Sequence, residues 1–232
     1  MTKFTINKLS WESDFFSKKI GSIIDLDNIN KAEFSHFDLL CNKVPSSNYE
    51  LINTLNMLDF KYVEGEVNLT KAIEQPASNL EHLVIATEID LNSLLKVSND
   101  MFKFSRFRSP WFKTHQANEF YGVWIKNAIL SIYDDICFIV KNESEIKGFI
   151  TLKKNKKTVS IGLVGVSSKY QGHGVGHILL NIAESYASNF GFSHVSVSTQ
   201  LSNISAIKLY LKAGYSLGDI NYWFYKDNLQ LK

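Results

Sequence analysis

The chain has 232 residues, 45% of them apolar and 21% charged, with a formal net charge of +2 at neutral pH. This suits one large or two small globular domains. So small a charge gives no footing for nucleic acid, no run of about 20 apolar residues predicts a membrane span, and the N-terminus lacks an apolar signal core. Cys41 and Cys137 are far apart and fit no metal-ligand spacing, so both are expected to be reduced core residues of a cytoplasmic protein. The six histidines are scattered, and no metal site is expected.

In chain order, residues 47–58 read as a helix and 60–69 as a strand with a turn near Gly65. Residues 72–80, which contain Pro76, read as a linker, placing a small N-terminal α/β domain at 1–75 and a larger domain at 76–232. A short strand at 82–86 and a helix at 90–101 follow, then a second helix at 117–130. Segments 136–140, 146–152 and 159–166 form an antiparallel meander, with a lysine-rich turn at 153–157. In the helix at 175–190, Val175, Ile178, Leu179, Ile182, Ala183, Tyr186 and Ala187 recur at helical spacing and are expected to be buried. Gly191 suits the position after that helix, and a strand at 194–199 turns Val195 and Val197 inward. Asn203 is a good N-cap for a helix that buries Ala206, Ile207, Tyr210 and Leu211 and stops at Gly214. Two short aromatic strand segments close the chain at 215–226. Residues 55–62 echo 211–215 (helix end, tight turn, aromatic, strand), so the N-terminal region is expected to be a degenerate half of the same fold, without a phosphate loop.

The most informative stretch is Gln171-Gly172-His173-Gly174-Val175-Gly176, between the strand at 159–166 and the helix it opens. Glycines let the backbone turn tightly and approach a ligand. The first helical turn then offers unpaired N–H groups and the positive end of its dipole. No acidic side chain interrupts the loop and Lys169 precedes it, so the expected ligand is a small molecule carrying a pyrophosphate. A P-loop is excluded, because no Gly-Lys-Ser/Thr follows. A dinucleotide-binding loop needs G-x-G-x-x-G near the start of a βαβ unit, whereas these glycines are spaced G-x-G-x-G in the last third of the chain. What matches is Gln/Arg-x-x-Gly-x-Gly/Ala, at Gln171, Gly174 and Gly176. An ordinary glycine-rich turn is the plainer alternative.

That pattern, with the strand–loop–helix–strand–helix–strand order after it, resembles the GNAT acyltransferases, whose loop binds the pyrophosphate of acyl-coenzyme A. The resemblance implies an α/β (α+β) GNAT fold: a mixed, mostly antiparallel sheet with splayed central strands and flanking helices, preceded by the smaller N-terminal region. It places pantetheine in the gap between the strands at 159–166 and 194–199, beside Val164, Gly165 and Val166, whose backbone N–H would polarise the thioester carbonyl. Gln171, Gly172, His173, Gly174, Val175 and Gly176 would hold the diphosphate, His173 through its backbone only. Asn203 would contact the cofactor, and Tyr210, seven residues on, would be the general acid. A phenol is protonated at neutral pH, as an acid must be; the plainer role for Tyr210 is packing.

A narrower likeness runs through Leu9-Trp11-Ser13-Phe15-Phe16, Ser105-Arg106-Phe107-Arg108-Ser109-Pro110-Trp111-Phe112, Phe120-Tyr121, Trp124 to Ala128, Ser198-Thr199-Gln200 and Tyr222-Trp223. These residues resemble the dTDP-fucosamine acetyltransferase family, which acetylates the amine of a nucleotide-linked deoxysugar for bacterial surface polysaccharide. The implied partners are acetyl-CoA or another short acyl-CoA, such as 3-hydroxybutyryl-CoA, and a nucleotide-linked amino sugar. Family members are often homodimers, and Tyr222 to Tyr225 is a candidate interface strand.

Arg106 and Arg108 are the only arginines, against 23 lysines, and they share one four-residue segment. Their planar forks suit the acceptor's diphosphate or a carboxylate shaping its site, with Arg106 favoured; the alternative is an ion pair to Asp134 or Asp135. Phe107, Trp111, Phe112 and Tyr121 are candidate core or pocket-wall residues, and the functional role for Trp111 and Tyr121 is contact with the acceptor's nucleobase or sugar. His115 and Glu119 are candidate bases, though surface positions suit both better and a water chain is the preferred proton acceptor. Neither cysteine lies near the loop or Tyr210, so transfer would be direct. Two alternatives stand beside this expectation: an acetyltransferase for a peptide or other small amine, and a non-catalytic acyl-CoA-sensing module.

Overall fold

A computed structural model describes residues 6–25, 31–74, 83–98, 104–143 and 145–227. In chain order the elements are β1 (Ile6–Lys8), α1 (Ser10–Phe16), β2 (Ile20–Ile23), β3 (Leu39–Pro45), α2 (Tyr49–Met57), β4 (Lys61–Ala72), β5 (Val84–Ile85), α3 (Leu91–Ser98) and α4 (Thr114–Ile129). There follow β6 (Ile136–Lys141), β7 (Ile146–Lys154), β8 (Thr158–Val166), α5 (Val175–Asn189), β9 (His194–Gln200), α6 (Ile204–Lys212) and β10 (Ser216–Asp227). Short 3-10 turns lie at Lys31–His36, Glu88–Asp90 and Ser168–Tyr170. No helix among the described residues is long and apolar enough to cross a membrane.

The described strands form one ten-stranded sheet in the order β1-β2-β3-β10-β4-β9-β8-β7-β6-β5. Only β2–β3 and β8–β9 are parallel. The expected meander is β6-β7-β8, antiparallel throughout. Two of the strand–helix–strand units, β3-α2-β4 and β9-α6-β10, interlock in the sheet: β4 lies beside β9, and β10 lies between β3 and β4. One sheet therefore runs through residues on both sides of position 75. Of the linker expected at 72–80, Ala72 ends β4 and Ile73 N–H donates to Ser193 O at 2.9 Å; residues 75–80 lie outside the described set, as does the end of the helix expected to reach 101.

Helices cover both faces. On one, α1, α3 and α4 pack an aromatic cluster of Phe16, Phe107, Phe112, Phe120, Phe149, Leu163 and Tyr225. On the other, α5 and α6 bury Leu179, Leu180, Ala183, Ala187 and Tyr210 against Val67, Leu69, Ile150, Val159 and Ile161. Leu55 of α2 packs with Leu40 and Phe224, which alternate along their strands with Cys41 and Tyr225 of the opposite cluster. Both cysteines are free and buried, and burial pushes each thiol up to about 12.

Several expectations need correction. Gly65 does not turn the chain; β4 runs through it, because a Cβ there would collide with Leu201 of the β9–α6 loop, so the glycine permits a close approach. The terminal segment is one strand, not two, with register shifts at Leu217/Ile220 and Trp223/Phe224 accounting for its broken pattern. Since β10 lies between β3 and β4, Tyr222 to Tyr225 offers no free edge for a dimer. Ile178 and Leu211 are exposed, and Leu180 takes the buried place on α5.

Candidate active site

β8 and β9 pair only from Thr158↔His194 to Ile161↔Val197. Beyond that point β9 stays with β4, through Ser198, Thr199 and Gln200, while residues 162–166 of β8 keep only β7. The two central strands therefore splay. At the divergence β8 carries a bulge: Ile161 faces Leu152 and Val164 faces Ile150, so Gly162 and Leu163 together oppose Thr151. The extra residue shifts the alternation, which is why Ile161 and Val164, three apart, both pack in the α5–α6 cluster while Leu163 joins the opposite one.

The bulge also fixes which backbone groups are free. Ser167 N–H donates to Lys147 O at 2.9 Å, setting the hydrogen-bonded pairs of the β7–β8 ladder. By antiparallel alternation Gly165 bonds toward β7, and the N–H and C=O of Val164 and Val166 point into the gap. Consistent with this, the Val166 carbonyl accepts from the Gln171 side chain at 3.4 Å.

From β8 the chain passes through the 3-10 turn into the glycine loop. Gly172 has φ 79° and Gly174 φ 81°, and a side chain at either would meet nothing within 4 Å. These glycines are therefore required by conformation rather than by lack of space. Gly174 caps α5 with no side-chain bond to its N–H groups, so the first turn is open to a ligand. Gly176 has a different task. A Cβ there would meet Leu209 Cδ2 at 2.9 Å, so this glycine lets α6 pack close to the start of α5. That contact brings the next residue, Tyr210, to the loop.

Asn203 caps α6, its Oδ1 accepting from Ala206 N–H at 3.3 Å and from Ser205 Oγ at 3.0 Å. Its Nδ2 donates to Thr199 Oγ1 at 3.4 Å. Tyr210, two turns in, is 2% exposed, and burial holds its phenol well above the usual range.

These elements enclose a cleft of about 1160 Å³. It is bordered by Val164, Gly165, Val166, Gln171, Gly172, Gly174, Val175, Gly176, Asn203 and Tyr210. His173 is not on the wall; its ring Nδ1 lies 2.9 Å from the Gln171 carbonyl oxygen. The histidines are less scattered than expected, since His173 and His177 are four residues apart; among the described residues no group of three or more His, Cys, Asp or Glu gathers. Ser205 and Leu209 of α6 also border it, as do Lys96 and Val97 of α3 and Phe104. Leu209 carries no signal beyond its helix, and Lys96 comes to the cleft from α3, far from the loop in sequence.

Arg106, Arg108, Trp111 and Tyr121 stand apart from this wall. Arg106 bonds the Tyr225 hydroxyl and is sandwiched between Phe107 and Trp223, its Cζ 4.1 and 3.9 Å from the ring centroids, with Glu12 4.0 Å away. Arg108 donates to Val63 O at 2.6 Å, Ser105 O at 2.9 Å and Glu64 Oε2 at 3.1 Å. The acids beside the arginines are thus Glu12 and Glu64, not Asp134 or Asp135. Glu64 also accepts from Ser202 Oγ at 3.0 Å, tying the arginine segment to the residue before Asn203. Tyr121 is buried, its hydroxyl donating to Ser105 Oγ at 3.0 Å, and Trp111 packs edge-on against Tyr225. His115 and Glu119 are exposed on α4, away from the cleft wall.

A family model described as the acetyltransferase (GNAT) family matches residues 100–215. A dTDP-fucosamine acetyltransferase from Escherichia coli O6:H1 is 29% identical over 228 residues, covering 96% of this chain and 98% of its own. Streptothricin acetyltransferase from Escherichia coli is 28% identical over 163 residues, 68% of this chain and 86% of its own. In structure, the PaiA N-acetyltransferase of Thermoplasma acidophilum, crystallised with coenzyme A, aligns with a TM-score of 0.51 at 16% identity, over 63% of this chain and 98% of that one.

Proposed function

The chain belongs to the GNAT acetyltransferase family, and from that premise we propose that it moves an acyl group from acyl-CoA to the amine of a nucleotide-linked amino-deoxysugar. A dTDP-sugar is the favoured acceptor, in cytoplasmic synthesis of surface polysaccharide. The supporting observation is the cleft that joins three things: open backbone of β8, a glycine loop at a helix N-terminus, and Tyr210. The near full-length likeness to a dTDP-fucosamine acetyltransferase favours the sugar acceptor.

The residues fit acyl-CoA. Gly172 and Gly174 leave space where a diphosphate would approach, and the N-terminal N–H groups of α5 are uncapped by side chains. The N–H groups of Val164 and Val166 suit the pantetheine arm and the thioester carbonyl. One preorganised donor of this kind contributes roughly 3 kcal/mol to the transition state. Amide formation also needs a proton for the departing thiolate. Tyr210 supplies it: burial keeps the phenol protonated across the physiological range. The amine's own proton leaves through water, since neither His115 nor Glu119 reaches the cleft.

Arg106 and Arg108 shape the acceptor segment, with Trp111 and Tyr121 as its packed support. Acetyl is the first donor to test. Residues 1–75 serve as a degenerate copy of the catalytic half, without a phosphate loop.

The test is free-thiol release from acetyl-CoA and 3-hydroxybutyryl-CoA against dTDP- and UDP-linked amino sugars, with peptide amines and streptothricin as controls. Release dependent on a dTDP-amino sugar is expected. Release with a control amine alone overturns the sugar assignment, and CoA binding with no release from any amine indicates a sensing module.

A further inference from the structure

Asp134 is a carboxylate only 2% exposed, just before β6, and no step above uses it. Burying a charge is costly unless hydrogen bonds compensate. Its Oδ2 accepts from Trp124 Nε1 of α4 at 2.8 Å and from the Thr151 hydroxyl of β7. Thr151 is fully buried, and its Oγ1 in turn accepts from Leu163 N–H at 2.8 Å.

The direction of this relay matters. With the Thr151 hydrogen committed to Asp134, the oxygen's lone pairs face Leu163 N–H, and the carboxylate strengthens that acceptor. Regular alternation would have directed Leu163 N–H at the β7 main chain. The hydroxyl takes it instead, and Leu163 is the second residue of the bulge. Its bulge partner, Gly162, leaves no room for a side chain: a Cβ would strike the Asp134 carboxylate and lie 2.8 Å from Thr151 Oγ1. The relay and the bulge thus occupy the same space. The next N–H along the chain, that of Val164, is the one turned into the gap.

We infer that Asp134 and Thr151 are positioning residues for acyl transfer: their relay holds the β8 bulge so that Val164 N–H meets the thioester carbonyl. This rests on the assignment of Val164 as carbonyl donor made above. Neither side chain borders the cleft, so both act through the strand.

The test is the carbonyl stretch of ¹³C-acetyl-CoA bound to the full chain, read by difference infrared spectroscopy, alongside kcat and the dissociation constant for CoA. In the wild type the stretch moves to lower frequency on binding, as a donor on the carbonyl requires. Thr151→Val removes the hydroxyl and keeps the shape. It is expected to lose at least half of that shift and at least tenfold in kcat, with CoA affinity within twofold. Thr151→Ser restores both. Asp134→Asn is the second variant should Thr151→Val fail to fold, with a partial loss of the shift expected. A wild-type shift that survives intact in a folded variant overturns the relay and leaves the donor assignment standing. No shift in the wild type overturns the donor assignment itself.

Discussion

Gly174→Asp separates ligand binding from folding at the glycine loop. The position has φ 81°, and a Cβ would meet nothing within 4 Å, so the substitution introduces backbone strain and charge without a clash. A left-handed L-residue costs roughly 1–2 kcal/mol, less for Asp than for most. A carboxylate at a helix N-terminus returns about 0.3–1 kcal/mol. The net change in stability is about 1 kcal/mol or less, a melting shift of about 2–4 °C in a chain of this size. Toward a diphosphate the same carboxylate is repulsive. At a separation of about 5 Å and an effective dielectric constant of about 20, one pair of unit charges costs about 3 kcal/mol, roughly 100-fold in affinity. Calorimetric titration with coenzyme A measures this directly. The loss should shrink as salt is raised, because the loop is solvent-facing. Gly174→Ala supplies the strain alone and should cost less than tenfold. A folded Gly174→Asp protein that binds coenzyme A within threefold of the wild type refutes the placement of the diphosphate.

Three further outcomes are expected. Tyr210→Phe should lower kcat by about 10²–10⁴ while leaving the dissociation constant for acyl-CoA nearly unchanged, and equal losses in both would remove the acid role. Arg108→Ala leaves the buried Glu64 carboxylate, among the described residues, with the Ser202 hydroxyl and its neighbouring Gly65 N–H. Because the guanidinium is half-exposed, the expected cost is about 2 kcal/mol, or about 6 °C in a thermal melt; an unchanged melt with a raised KM for the nucleotide sugar would make Arg108 a substrate contact instead. Burial raises the phenols of Tyr121, Tyr210, Tyr215 and Tyr225 above their usual value, and both cysteine thiols to about 12. These groups ionise first in the unfolded chain, so their contribution is complete below about pH 8–9 and is lost as pH rises past 9–10. Thermal melts from pH 7 to 11 should be flat and then fall, and a midpoint that holds constant to pH 11 contradicts the burial of these side chains.

The parts of this site that the sequence made legible are local. A strand, two glycines with positive φ and a helix are consecutive in the chain, and Asn203 announces its helix by capping it. Gly176 was legible as part of a pattern but not for its cause, because Leu209 touches it only once α5 and α6 are packed. Gly65 was misread for the same reason: glycine signals a turn or a close approach alike, and only the position of Leu201 decides between them. The bulge left no trace in composition, since one extra residue in an alternating strand looks like alternation with a slip. The arginine pair was conspicuous, yet its partners, Glu12, Glu64 and Tyr225, come from three distant segments. Sheet order was least accessible. Nothing in the 215–226 stretch says that it will sit between β3 and β4.

That placement governs how the molecule can be assembled. Strand 216–227 is the last described strand to leave the ribosome, and its seat is in the interior of the sheet. Until it is made, β3 and β4 both lack the strand they pair with. Pairings of such long sequence separation form slowly and leave partly built sheets open to aggregation. Clipping the tail would therefore do more than trim a border. It would part the described sheet between β3 and β4, leaving three strands on one side and six on the other.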